Sequence, residues 1–427
     1  MSNSQDLSRV VAAMEGSRIL AAASEARLLK ETGVEVCDLT VGDYSPDLFK
    51  APQPFLEHIS REVLAGRNQY PPSDGLPEVQ RAVTSLYKHL LGVEPPPKSI
   101  VICGGARPPI YAVFRALVNP GDAVVYPVPS WNNDYYTHLV EAEARPIQTT
   151  AETNFMPTPQ QVRDAVQDPK VRLFCLNSPL NPCGTVISKD SLRAICEVLL
   201  EENQRRVALD LRPLFFLFDQ VYWPLVYGEA TFEHPLRLVP ELAPWTLYVD
   251  AISKWLVGTG LRLGWVVTPP RLYAPIRDFM GHVGGWAPRP VQAATAALLA
   301  DHVEVTTFFS TLRADLSNRL TLIRDTFQQW KSEGLPIEFV EPQGAIYLAV
   351  QFNILGLMTS SGDVLRTNTD IRRYLLHKGR IAFVPFQAFG VNEDTGWFRI
   401  SVGAVSEPVL LAGLHRLRGC LLELMPS

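Results

Sequence analysis

Between residues 98 and 268 the chain alternates two patterns. Runs that are apolar at nearly every position ("SIVIC", "DAVVYPV", "VRLFCLN", "LFFLFD", "TLYVDAIS", "RLGWVVTP") are interleaved with stretches carrying apolar residues at helical spacing, such as "PPIYAVFRALV" and "SLRAICEVLLEEN". A strand with no polar side must be covered on both faces, which an antiparallel sheet open to water does not provide. The alternation therefore predicts an α/β large domain with a mostly parallel sheet covered by helices on both faces. In such sheets ligands bind beyond the carboxyl ends of the strands.

The flanks differ. An amphipathic helix is expected over Leu7–Thr32, then an extended "VCDLTVGDYSP", a helix in "PEVQRAVTSLYKHLLG" and a long helix over about Val303–Trp330. The segments "IEFVEPQGAIYLAVQF", "IAFVPF" and "GWFRISVG", with helices between, read as a smaller α+β domain. A chain of 427 residues exceeds the usual size of one core. We assign residues 1–50 to an N-terminal arm and part of the small domain, 51–314 to the large domain and 315–427 to the small C-terminal domain.

The formal net charge of −5 argues against nucleic acid or an anionic membrane as the main partner, although local cations can still hold a small anion. None of the six cysteines forms a CxxC pair, so neither a disulfide framework nor a zinc spacing is visible. The polar N-terminus lacks an apolar signal core, and no apolar run is long enough to span a bilayer. The expectation is a cytoplasmic protein without a metal site. The scattered histidines, His58, His138 and His282 among them, are read as structural.

Polar groups cluster where the apolar runs end. Gly104-Gly105-Ala106-Arg107 follows "SIVIC", and small residues before a helix let backbone N–H groups approach an anion; a purely structural turn fits as well. "SPLNPCG", with Asn181, reads on its own as loop punctuation. Asp219 ends "LFFLFD", where a carboxylate needs a partner; a satisfied structural aspartate and an anion facing a cationic ring nitrogen both stand open. Lys254 follows "TLYVDAIS" in apolar surroundings, and a lysine amine is a nucleophile toward carbonyls. Arg262 is suited to fork-like phosphate binding. Arg399 lies among apolar residues in "WFRISVG" and needs an anion, either an internal carboxylate or that of a substrate.

Taken together, in this order, these segments resemble the class I/II aminotransferases, fold-type-I enzymes of pyridoxal 5′-phosphate, from about Gly42 to Arg399. The resemblance implies that Lys254 in "ISKWLVGTGLRLGW" joins the cofactor covalently, and that Arg262 and Ser253 hold its phosphate. Gly105, Ala106 and Arg107 in "GGAR" would offer backbone N–H groups to the same phosphate. Trp131 in "PSWNNDYY" would stack on the pyridine ring. Asn181 in "NPCG" and Tyr222 in "DQVY" would bond the ring's phenolic oxygen, and Asp219 would pair with the ring nitrogen. Tyr70 in "NQYPPSDGLPEVQRAV" would reach the neighbouring subunit's phosphate, which implies a homodimer. Gly42 in "VGDYSP" would lie near the substrate carboxylate, which Arg399 would clamp. The implied reaction moves an amino group between an L-amino acid and a 2-oxo acid, with 2-oxoglutarate the expected acceptor.

Four positions depart from the family pattern. Gln220 replaces the acidic residue after the aspartate, Cys183 the threonine of the asparagine turn, and Ala251 a hydroxyl three residues before the lysine. "VPFQAFG" replaces a glycine-containing turn near the substrate pocket. Arg289 in "GGWAPRPVQ" is, by region, a candidate second carboxylate reader or a surface arginine. Same-fold outcomes such as carbon–sulfur β-elimination, cyclisation or oxidation remain alternatives, as does a non-catalytic cofactor-binding dimer.

Overall fold

The computed structural model of the chain describes residues 6–425. A seven-stranded sheet runs in the order Ile100–Cys103, Gly264–Val267, Thr246–Ala251, Phe215–Asp219, Val171–Asn177, Ala123–Val128, Glu143–Gln148. The five strands from Thr246–Ala251 onward pair in parallel. Gly264–Val267 runs antiparallel to both its neighbours. Every residue of Ile100–Cys103, Ala123–Val128, Val171–Asn177 and Thr246–Ala251 is buried, as the unbroken apolar runs predict. The edge strand Glu143–Gln148 escaped the sequence pattern because only Ile147 in it is buried. An edge strand with one free flank keeps charged residues, and so loses the apolar signature.

The parallel register brings strand ends together: Asn177 lies opposite Asp219, and Asp219 opposite Val249. Just beyond, Thr246–Ala251 passes into the one-turn helix Ile252–Trp255 that carries Lys254. A buried carboxylate anchors that turn. Asp250 accepts from Tyr87 Oη, Trp223 Nε1 and Trp255 Nε1, each at 2.8 Å, and from Ala251 N at 2.7 Å. Burial pushes its carboxyl up to about 7, against the pull of these donors.

The N-terminal expectation requires correction. In place of one helix over Leu7–Thr32 there are two, Arg9–Ala12 and Arg18–Glu31. Gly16 breaks the pattern, and the Ser17 hydroxyl accepts from Leu20 N to start the second helix. The long helix is continuous over His302–Ser332, and the Asp301 carboxylate caps it by accepting from Val303 N and Glu304 N. Its first part packs Phe309 against Trp223 and Trp255, and its later part packs Phe327 against Phe339.

A second, antiparallel sheet orders Val384–Pro385, Trp397–Ser401, Tyr347–Phe352 and Ile337–Phe339. Separately, Cys37–Asp38 pairs in parallel with Ile381–Ala382, which joins the N- and C-terminal parts of the chain in one small unit. In the antiparallel sheet Tyr347 lies opposite Ser401 and Ala349 opposite Arg399. Period-two alternation then places Tyr347 and Arg399 on the same face. Among the described residues no helix is long and apolar enough to cross a membrane.

Candidate active site

The carboxyl ends of the large sheet meet the Tyr347/Arg399 face of the small one, where Asn181 bonds Arg399 and Tyr222 bonds Tyr347. Lys254 Nζ donates to Gly42 O at 2.6 Å and lies 5.9 Å from the centre of the Tyr222 ring. Tyr44 Oη donates to Lys254 O at 2.8 Å, which ties the lysine turn to the N-terminal segment. Among the described residues the Asp219 carboxylate accepts only from Val221 N, at 3.2 Å, and no cation pairs with it. Burial raises its carboxyl to about 7, with the backbone donor and the positive Lys254 pulling the other way. A carboxylate half-withdrawn from water and left without a counter-ion is costly. Of the two readings open for Asp219, the structure therefore disfavours the satisfied structural one.

Arg399 also lacks an anion. It is 2 % exposed. Its Nη1 donates to Asn181 Oδ1 at 3.1 Å and its Nη2 to Thr40 O at 2.6 Å, while Nε is buried with no partner. Burial depresses its pKa below the usual arginine range. The guanidinium lies between the rings of Tyr347 (4.7 Å) and Phe389 (5.0 Å), so the internal-salt-bridge reading does not hold among the described residues. Asn181 is itself fixed by Asn177, whose Oδ1 accepts from Asn181 N at 2.8 Å and whose Nδ2 donates to Asp219 O at 2.9 Å.

Arg262 and the Gly104–Gly105 turn form a second cationic group of the site. Arg262 adopts a left-handed φ of 54° and donates from Nη1 to Thr259 O at 2.7 Å and from Nη2 to Gly104 O at 3.0 Å. It has no carboxylate partner among the described residues, and burial, then the nearby Arg107, lowers its pKa. The Arg107 guanidinium lies 4.5 Å from the Trp131 ring centre. Gly105 takes a φ of 91°, and a Cβ there would collide with the Arg262 guanidinium, so the turn requires glycine both for its backbone and for the close approach. Ser253 is half-buried beside the lysine.

The structure thus brings together Gly42, Gly105, Ala106, Arg107, Trp131, Asn181, Asp219, Tyr222, Ser253, Lys254, Arg262 and Arg399. Tyr70 is set apart. It is 81 % exposed and packs edge-on against Trp286 at 5.2 Å. The loop before Trp286 is bonded to the Gly104–Gly105 turn through Gly104 N and Gly285 O at 2.8 Å. Arg289 opens the helix Arg289–Ala300 three residues after Trp286 and makes no ion pair among the described residues. Sequence reasoning missed Asn177, Phe389 and Tyr347. Asn177 ends an apolar strand as Asp219 does, and that shared position was its available signal. "VPFQAFG" forms a 3₁₀ turn over Phe386–Phe389, with both phenylalanines buried.

The chemistry of the donors fits the implied cofactor. Two guanidiniums and a glycine turn suit a phosphate, an unpartnered carboxyl suits a protonated ring nitrogen, and an unpaired buried arginine suits a substrate carboxylate. Among the described residues no cluster of three metal-ligating side chains exists.

The fold and the cleft define an enzyme that works on a small carboxylate-bearing substrate with a phosphorylated ring cofactor. Residues 34–417 match the model of the family "aminotransferase class I and II", and the chain belongs to that family. It is an aminotransferase, and the family depends on pyridoxal 5′-phosphate. The chain is 30 % identical to an aspartate aminotransferase of Rhizobium meliloti, over 94 % of this chain and 92 % of that one. It is 28 % identical to the aspartate/prephenate aminotransferase of Cereibacter sphaeroides, over 94 % and 95 %. A crystal structure of aspartate aminotransferase from Rhizobium meliloti superposes with a TM-score of 0.89 at 27 % identity, covering 98 % of this chain and 99 % of that one.

Proposed function

We propose that the chain transfers an amino group from an aspartate-type L-amino acid to 2-oxoglutarate at the cleft around Lys254. The observation that carries this reading is that half-buried Asp219 and buried Arg399, both without a counter-ion among the described residues, lie in the same site as the lysine. Bound pyridoxal 5′-phosphate supplies an electron sink for charge leaving the Cα of an amino acid. The residues do the rest. Asp219 would keep a proton on the ring nitrogen. Tyr222 and Asn181 would donate toward the phenolic oxygen, and Trp131 would stack on the ring. Arg262, Ser253 and the N–H groups of Gly105, Ala106 and Arg107 would receive the phosphate. Arg399 forks the substrate carboxylate beside Gly42, which orients the Cα–H bond, and the Lys254 amine carries the proton at Cα.

Absorbance spectroscopy of the purified chain with pyridoxal 5′-phosphate tests this. A lysine-dependent visible band that gives way to an amine-form band on adding aspartate or glutamate is the expected result. A band that never converts while pyruvate or ammonia forms would move the reading to a lyase. A protein with no band at all lacks the proposed site.

The donor preference of the relatives and the position of Arg289 support a dicarboxylate substrate. Arg289 follows Trp286, the residue that carries the exposed Tyr70, so both would face a neighbouring subunit in a homodimer. Arg289→Leu is expected to lower kcat/KM for aspartate by about 100-fold while changing that for an uncharged donor less than about threefold. Equal losses for both donors would remove Arg289 from substrate recognition. The six cysteines, all free and buried, are consistent with the reducing cytoplasm as the compartment.

A further inference from the structure

Tyr347 has no role in the chemistry described so far, yet it touches both halves of the site. Its hydroxyl and that of Tyr222 share one hydrogen bond at 2.9 Å. Its ring supports the Arg399 guanidinium at 4.7 Å. The Tyr347 side chain is buried, and its hydroxyl has no second partner among the described residues. It also presses on the N-terminal segment: a Cβ on Gly42 would lie 2.8 Å from Tyr347 Oη, and no closer than 3.5 Å to any other group. Gly42 is not in the left-handed region, so glycine is required there by the hydroxyl and not by the backbone.

We propose that Tyr347 is a positioning residue that donates its proton to Tyr222 Oη, leaving the Tyr222 proton free for the cofactor's phenolic oxygen, while its ring holds Arg399 in place for the substrate carboxylate. The inference rests on the aminotransferase reading of the site. Its physical basis is a count of protons. Each phenol has one proton to give. If Tyr222 gave its proton to Tyr347, it would meet the phenolic oxygen with a lone pair, and two acceptors would face each other. With Tyr347 as donor the chain runs Tyr347, Tyr222, cofactor, and each bond polarises the next. The opposite order wastes the Tyr222 proton on a hydroxyl that needs nothing. The charged and titratable groups facing this pair are Lys254, Asp219 and Arg399, with Tyr44 bonded to the lysine carbonyl. The same side chain thus links the cofactor side of the cleft to the carboxylate side.

The two roles separate by substitution. Tyr347→Phe removes the hydroxyl and keeps the ring; Tyr347→Leu removes both. Once the cofactor is joined to Lys254, the lysine nitrogen and the phenolic oxygen share a proton whose loss is visible in the absorbance spectrum. A donor to the oxygen stabilises the form without that proton, so weakening the donor raises the midpoint of the titration. Tyr347→Phe is expected to raise the midpoint by at least about 0.3 pH units and to bind succinate, a non-reacting dicarboxylate, as wild type does. Tyr347→Leu is expected to show the same shift and to bind succinate about three- to tenfold more weakly. An unchanged or lowered midpoint in Tyr347→Phe, with wild type titrating normally, overturns the proposed proton direction. Succinate affinity equal in all variants overturns the support of Arg399. A wild-type protein that forms no lysine-dependent band overturns the aminotransferase reading itself, and so is told apart from either.

Discussion

Lys254→Ala is expected to lower kcat by at least about 10⁴-fold while leaving a folded protein that still binds pyridoxal 5′-phosphate. The lysine has two jobs, a covalent hold on the cofactor and the proton at the substrate Cα, and general acid–base catalysis alone is worth about 10²–10⁴. The cradle of Arg262 and the Gly105 turn does not depend on the amine, and neither do Asp219 or Asn181. Among the described residues the amine's one hydrogen bond is to Gly42 O, so its removal leaves the buried core intact. Borohydride reduction followed by intact-mass measurement should fix the cofactor to the wild-type chain and not to the variant. Added methylamine should restore part of the rate, because a small amine can occupy the space the side chain leaves. Normal turnover in the variant, or cofactor fixed to it by reduction, would sink the assignment of Lys254.

Much of the large domain was legible because its strands are buried on both faces and the sequence shows that directly. The site was legible because a polar side chain that ends a buried apolar strand must meet a partner, and the neighbouring apolar residues supply none. Asp219 after "LFFLF" and Lys254 after "TLYVDAIS" stand out for that reason. The resemblance supplied roles that spacing alone left open, above all for Asn181 and Gly105. What stayed hidden has physical causes. Glu143–Gln148 is an edge strand and keeps its charges. The N-terminal helix breaks at Gly16 and Ser17, a two-residue signal easily overridden by the amphipathic residues around it. Tyr347 sits in "AIYLAV", where an aromatic residue on a buried strand reads as core. Its meaning comes from a register with Trp397–Ser401 that pairs segments far apart in the chain. A hydroxyl opposite Gly42 cannot be inferred from either stretch by itself.

Asp219→Asn should produce effects of opposite sign on activity and on the stability of the cofactor-free chain. The carboxyl is half-buried with one backbone donor, and desolvation raises it from 3.8 to about 7. Between those pH values the folded chain binds a proton that the unfolded chain has released, so stability falls as pH rises through the window and levels off above it. At pH 8 the folded chain therefore carries a partly desolvated charge, worth about 1–2 kcal/mol once the partial exposure of Asp219 is allowed for. Asparagine has the same shape and no charge. The cofactor-free variant should melt about 1–2 °C above wild type at pH 8 and at nearly the same temperature at pH 4, where Asp219 of the folded chain is largely protonated. Asp250 titrates in the same range but is present in both proteins and cancels in the comparison. Catalysis should respond the other way. Without the carboxylate the ring nitrogen loses the group that keeps its proton, and the electron sink weakens. Removing one such preorganised electrostatic partner costs about 10²–10³ in kcat. Calorimetry of the cofactor-free proteins at the two pH values and steady-state rates of the loaded ones give both signs. A variant less stable at pH 8 would mean that Asp219 already has a partner in the folded chain. A variant that transaminates within about tenfold of wild type would mean that the ring nitrogen is held by some other group.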